Sequence, residues 1–126
     1  MREAKMIKIL IVDDSAAVRD GLRSILSPHA DFKIVGEAID GLDAIAKANE
    51  LHPEVILMDT QMPGKDGVET TRCIKERFPE IKVLLLTVHT SYIEKALIAG
   101  ADGYLLKDCG REELFRAVRQ VTDRSS

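Results

Sequence analysis

The sequence predicts an α/β domain built on a parallel five-stranded sheet. Three observations carry that reading. Short apolar runs alternate with stretches whose apolar residues recur at helical spacing. The strongest runs are continuously apolar rather than alternating, as strands buried on both faces are. The runs also stop at polar or turn-forming residues. The sharpest stop is at Val55-Ile56-Leu57-Met58, which ends in Asp59 and is followed by Pro63-Gly64 and Asp66-Gly67.

In chain order, the β-branched run Met6–Val12 reads as a first strand. Asp13-Asp14-Ser15 closes it, and either Asp14 or Ser15 can cap the helix that follows. Val18, Leu22, Ile25 and Leu26 share one face of that helix, which ends at Ser27-Pro28. Phe32–Ala38 is a second, weaker strand. Asp40-Gly41 then turns the chain into a helix expected to point Leu42, Ile45, Ala46 and Leu51 inward. His52-Pro53 stops it, because the residue before proline is pushed out of the α region.

After the Val55–Met58 strand, a helix from about Val68 to Arg77 is expected to bury Val68, Ile74 and Phe78. Pro79 marks the next break, and Ile81–Thr87 is the fourth strand. A weaker helix, roughly Ser91 to Ala99, stops at Gly100. Asp102–Leu106 is a short fifth strand. The last helix, about Arg111 to Thr122, carries Leu114, Ala117, Val118 and Val121 on one stripe.

At 126 residues the chain is long enough for one domain with one sizeable core. Its 45% hydrophobic and 31% charged residues suit an ordinary globular protein rather than a disordered one. A net charge of −3 gives no general attraction to nucleic acid, and no clear basic patch stands out. Cys73 and Cys109 lie far apart with no metal-ligand spacing, so they read as free thiols of a reducing compartment. The Met6–Val12 run is too short to span a membrane and ends in acids rather than a cleavage site, which points to a cytoplasmic chain. No G-x-x-x-x-G-K-[ST] motif supports nucleotide hydrolysis.

Polar groups close four of the five runs: Asp13 and Asp14, Asp59, Thr87, and Lys107. Each has an ordinary explanation as a cap, a β-branched strand residue or a surface charge. In a parallel sheet, however, all these ends lie along one edge, where open α/β folds bind ligands. Three nearby carboxylates repel, and one resists ionising unless a cation is present. A hard ion such as Mg²⁺ takes carboxylate oxygens, a carbonyl and waters. A carboxylate can also act as a nucleophile and form an aspartyl phosphate, with an ammonium and a hydroxyl stabilising the phosphoryl oxygens.

The set Asp13-Asp14, Met58-Asp59-x-x-Met62-Pro63-x-x-Asp66-Gly67, Thr87 and Lys107 resembles the receiver domain of bacterial two-component response regulators. The resemblance runs from about Lys5 to Val121. Gly100-Ala101-Asp102-Gly103-Tyr104-Leu105-Leu106-Lys107-Asp108 is similar to the NarL/FixJ branch, whose members usually end in a LuxR-type helix-turn-helix. The resemblance implies a flavodoxin-like (βα)5 doubly wound sheet of strand order 2-1-3-4-5. It implies a receiver domain over residues 5–123, with the DNA-binding domain absent from this chain.

By the same resemblance Asp59 is the phosphoacceptor for a sensor histidine kinase. Asp14, Asp59 and the backbone carbonyl of Gln61 would hold Mg²⁺ directly, and Asp13 through a water. Thr87 and Lys107 would bind the phosphoryl group, and Thr87 and Tyr104 would form the conformational switch. Gln61 and His89 match two variable positions that tune phosphoryl hydrolysis. Val88 departs from the small residue common after the threonine and would narrow access to Asp59. The implied output is a homodimer formed on phosphorylation, acting on DNA only through the further domain, with no membrane partner and no turnover beyond the domain's own phosphorylation and dephosphorylation. A stand-alone adaptor is the alternative. An aspartyl-phosphate phosphatase would need an acid two residues after the nucleophile, where this chain has Gln61.

Overall fold

β-branched and leucine-rich runs of four to seven residues form five strands: β1 Ile7–Val12, β2 Phe32–Ala38, β3 Val55–Asp59, β4 Lys82–Thr87 and β5 Gly103–Leu106. Between and after them lie α1 Ala16–Leu26, α2 Gly41–Leu51, α3 Gly67–Arg77, α4 Ile93–Ile98 and α5 Arg111–Val121. The computed structural model describes residues 6–61, 66–88 and 93–122. Every strand pairing is parallel and the order is β2-β1-β3-β4-β5, the doubly wound order expected. No helix among the described residues is long and apolar enough to cross a membrane.

Strand alternation splits the interior into two cores. Ile9, Ile11, Val55, Leu57, Leu84, Leu86 and Leu105 meet Leu26 of α1 and Leu114, Phe115 and Val118 of α5. Leu10, Val12, Ile56, Met58, Val83 and Leu85 meet Ala44 and Ala48 of α2, Ile74 of α3 and Ala96 of α4. Both faces of the central strands are thereby covered, which is why those strands read as unbroken apolar runs.

The helix ends follow local chemistry. Ser15 caps α1, its hydroxyl accepting from the Val18 N–H at 3.3 Å. Asp40 and Asp66 cap α2 and α3 by accepting from Asp43 and Glu69. α2 departs from expectation in its buried face. Leu42 is 71% exposed and Ala46 is also exposed, while Gly41, Ala44 and Ala48 are buried and Ile45 and Leu51 pack at the margin. Small residues let this helix approach the sheet closely, so its inward stripe is not its most hydrophobic one. His52 ends α2 before Pro53 as expected, leaving the right-handed helix for the left-handed region (φ 49°), with its N–H on the Ala48 carbonyl.

β2 carries a register shift against β1. Ile9 pairs with Ile34 but Leu10 pairs with Gly36, so Val35 is the extra residue of a bulge. The bulge inverts the alternation: Phe32 and Ile34 belong to the α1/α5 core, whereas Ala38 belongs to the α2/α3 core. Glu37, paired with Ile11, consequently points to the α1 side.

Two glycines make opposite predictions. A Cβ on Gly67 would lie 2.0 Å from the Asp59 carbonyl oxygen and 2.8 Å from Thr60 Cα, both backbone atoms. Gly67→Ala should therefore cost roughly 3 kcal/mol by forcing main chain apart. Gly21, in α1, has nothing within 4 Å of such a Cβ. Gly21→Ala should stabilise by about 0.5–1 kcal/mol through helix propensity. Urea unfolding midpoints of the two variants check both signs.

Candidate functional site

Parallel crossovers bring the carboxyl ends of all five strands to one edge, and alternation decides which face each end continues. Asp13 continues the row of Ile9 and Ile11, Asp59 that of Val55 and Leu57, and Lys107 that of Leu105, all on the α1/α5 side. Those three meet. Lys107 Nζ lies 3.1 Å from Asp13 Oδ2 and 3.0 Å from Asp59 Oδ1. Asp13 and Asp59 are only 1% and 3% exposed, Lys107 is half-buried, and Asp14 is open to solvent.

Local turns hold the two buried acids. Asp13 Oδ1 accepts from the Ser15 N–H at 2.9 Å, and Asp59 Oδ1 accepts from the Gln61 N–H at 3.2 Å. Burial pushes the Asp59 carboxyl above the usual carboxylate range, and the like charge of Asp13 adds to it, outweighing the Lys107 and Gln61 hydrogen bonds. Burial pulls the Lys107 ammonium down, but its contacts with Asp59 and Asp13 together outweigh that and hold it above the ordinary lysine value. The two effects agree. One firmly charged ammonium is shared by two carboxylates, and Asp59 carries the raised carboxyl.

A cleft of about 230 Å³ opens over this cluster, lined by Asp13, Asp14, Ser15, Val18, Asp59, Thr60, Gln61, Val88 and Lys107. Oxygens of Asp13, Asp14 and Asp59 lie within 4.8 Å of one another. Ligands on opposite sides of a Mg²⁺ ion stand roughly 4.2 Å apart. The three carboxylates are thus within about an ångström of a shell that a hard cation accepts, and oxygen-only donors are the type it takes.

Thr87 is buried and continues the opposite row, that of Val83 and Leu85, on the α2/α3 side. It pairs with Leu106, two residues on from Tyr104, so Thr87 and Tyr104 share a face of the sheet. Tyr104 is 43% exposed there. His89 and the Met62–Lys65 part of the loop after Asp59 lie outside the described residues. Thr60 is a site residue that the sequence reading missed. It is buried, its N–H donates to the Leu86 carbonyl and its own carbonyl accepts from the Gly67 N–H, which draws the start of α3 against the end of β3. No sequence signal marks it beyond its position after Asp59. Neither Cys73 nor Cys109 forms a disulfide, and burial, with Glu113 and Asp108 nearby, holds the Cys109 thiol up.

The fold has known relatives. The family profile described as the response regulator receiver domain matches residues 9–119. The response regulator protein VraR of Staphylococcus aureus is 47% identical over 118 residues, covering 92% of this chain and 56% of that protein. The chain thus spans about half the length of the curated relatives it matches. Among solved structures, the response regulator domain of Thermotoga maritima CheB superposes with a TM-score of 0.89 at 35% identity, covering 94% of this chain and 98% of the other. A DNA-binding response regulator of the LuxR family from Staphylococcus aureus gives a TM-score of 0.86 at 31% identity, covering 93% and 99%.

The raised Asp59 carboxyl has a definite consequence for stability. The folded state holds the Asp59 proton more tightly than the unfolded state does. The resulting stabilisation is present at low pH and lost as pH rises through the folded-state value. At pH 7 without divalent ions, Asp59→Asn should therefore melt at a higher temperature than wild type, while Lys107 keeps Asp13 as a partner. The gap should close as pH falls through the carboxylate range. Melting curves of both proteins at several pH values check it.

Proposed function

The chain belongs to the response regulator receiver family, and we propose that it accepts a phosphoryl group onto Asp59 from the phosphohistidine of a sensor kinase. The observation that carries this reading is the buried Asp59 carboxylate at the end of β3, 3.0 Å from the Lys107 ammonium and clustered with Asp13 and Asp14. An Asp59 oxygen forms the new P–O bond as the P–N bond breaks, and the electron pair of that bond stays on the departing imidazole.

Asp14, Asp59 and the Gln61 carbonyl would hold Mg²⁺, with Asp13 acting through a water. When bound, that ion supplies neutralising charge to the phosphoryl oxygens. Lys107 donates to a phosphoryl oxygen, and the Thr87 hydroxyl turns to donate to another. A Thr87 drawn toward the phosphoryl group leaves room on the face it shares with Tyr104, and the equilibrium between two conformations shifts. Gln61 and His89 tune how fast water removes the group, and Val88, which lines the cleft, narrows the approach. The domain has no turnover besides this cycle.

The output we infer is dimerisation in the cytoplasm and control of transcription through a LuxR-type domain beyond this segment. The 47% identity to a relative of about twice the length, and the likeness to a DNA-binding LuxR-family regulator, favour that over a stand-alone adaptor.

Acetyl phosphate with Mg²⁺ should give a single phosphoryl adduct by intact mass, absent from Asp59→Asn and abolished by chelation. Lys107→Ala should slow its formation by roughly 10²-fold. A wild-type chain that stays unmodified under these conditions would overturn the reading.

A further inference from the structure

All four polar atoms of Asp13 are engaged, and two of the four partners, Ala38 and Arg19, lie outside the cleft. The Asp13 N–H donates to the Ala38 carbonyl at 3.1 Å, Oδ1 accepts from Ser15 and Oδ2 meets Lys107. The main-chain carbonyl accepts from Arg19 Nη1 at 2.7 Å. The same guanidinium donates through Nε to Glu37 Oε1 at 2.9 Å, and the other Glu37 oxygen accepts from Arg23 Nε at 2.7 Å. The Arg19 side chain is 16% exposed, against 44% for Arg23. Burial and the short contacts make Arg19 a fixed strut rather than a surface ion pair.

The β2 bulge is what makes the strut possible. Unbroken alternation would turn Glu37 to the α2 side, away from α1. With the extra residue Val35, Glu37 faces Arg19 and Arg23, and their charges hold its carboxyl below the usual range, the Arg23 hydrogen bond foremost. Fixing the Asp13 carbonyl also fixes the nitrogen of Asp14, because the two belong to one planar peptide unit. Asp14 is the exposed member of the acidic cluster and has no described hydrogen bond of its own in the cleft to direct it.

We propose that Arg19, braced by Glu37, is a positioning residue for the acidic cluster: it pins the Asp13–Asp14 peptide so that the Asp14 carboxylate is aimed at Asp59 for cation binding. The inference rests on the reading of that cluster as a Mg²⁺ site. Position and charge predict opposite effects here. A cation near three carboxylates weakens their hold on a metal, so an Arg19 acting only through its charge would bind Mg²⁺ more tightly once removed. An Arg19 that orients Asp14 binds it more weakly once removed.

The test is the melting temperature of the 126-residue chain across a Mg²⁺ titration, which yields the binding midpoint by linkage. Arg19→Met should move the midpoint to roughly tenfold higher Mg²⁺. Arg23→Met, which also strips a partner from Glu37 but does not touch the turn, should stay within about twofold of wild type. Arg19→Lys, able to keep one of the two hydrogen bonds, should fall between them. An unchanged or tighter midpoint in Arg19→Met overturns the proposal, as does an equal loss in Arg23→Met. Should Arg19→Met fail to fold, an unchanged midpoint in Arg19→Lys decides against it. A wild-type chain with no Mg²⁺-dependent rise contradicts the metal reading instead, which separates the two failures.

Discussion

Lys107 bridges two carboxylates that have almost no access to water, and the carboxyl edge of the sheet is arranged around that bridge. Asp13 and Asp59 end adjacent strands, whereas Lys107 follows β5, with β4 lying between β3 and β5. The ammonium therefore spans the end of one strand to reach its partners, which a four-carbon stem permits. Its main chain is anchored for the reach, since the Lys107 N–H donates to the Thr87 carbonyl at 2.8 Å. Unit charges 3 Å apart attract by about 5.5 kcal/mol at an effective dielectric of 20, while two acids within 4.8 Å of each other repel by about 3.5 kcal/mol or more. The bridge thus holds both acids in place but leaves the cluster net negative, with Asp14 outside it.

The two phases of the sheet divide the work. Asp13, Asp59 and Lys107 continue rows that belong to the α1/α5 core, and Thr87 continues a row of the α2/α3 core. The acids and ammonium therefore continue one face of the sheet and Thr87 the other. Thr87 instead shares its face with Tyr104 and Leu106 on β5, both exposed. Under the proposed function, a movement of Thr87 toward Asp59 is a movement away from that exposed face. One hydroxyl then has consequences on both sides of the sheet.

The strand order and the edge cluster were legible because they rest on features a sequence carries directly: continuous apolar runs, breakers after them, and polar residues where they stop. The inner face of α2 was not. Leu42, Ile45, Ala46 and Leu51 were expected inward, but Gly41, Ala44 and Ala48 face the sheet, Ile45 and Leu51 pack at the margin, and Leu42 and Ala46 are exposed. His52 was read correctly as a stop, and the left-handed turn that closes the helix end is how it leaves the right-handed α region before Pro53. The sharing of Lys107 depends on distances between strand ends that no spacing encodes. The Arg19–Glu37 contact depends on a single extra residue in β2, and Gly36 is a faint mark of it.

A phosphoryl group on Asp59 would change the charge balance that Lys107 maintains. The ammonium now serves two singly charged acids at nearly equal distance, 3.1 Å and 3.0 Å. A dianionic group at Asp59 draws it more strongly than Asp13 does, so the Asp13 contact is the one that lengthens. Asp13 would then lose one of its four partners while remaining buried beside added negative charge. The other three, from Ala38, Ser15 and Arg19, do not involve the phosphoryl side of the cleft. Two of them come from the capping turn and the neighbouring strand, and Arg19 ties the turn to the body of the helix that follows. Under the proposed function, a strut of that kind would keep the acidic turn in register while the ammonium changes partners, a use for a largely covered guanidinium that bonds a carbonyl rather than a carboxylate of the site.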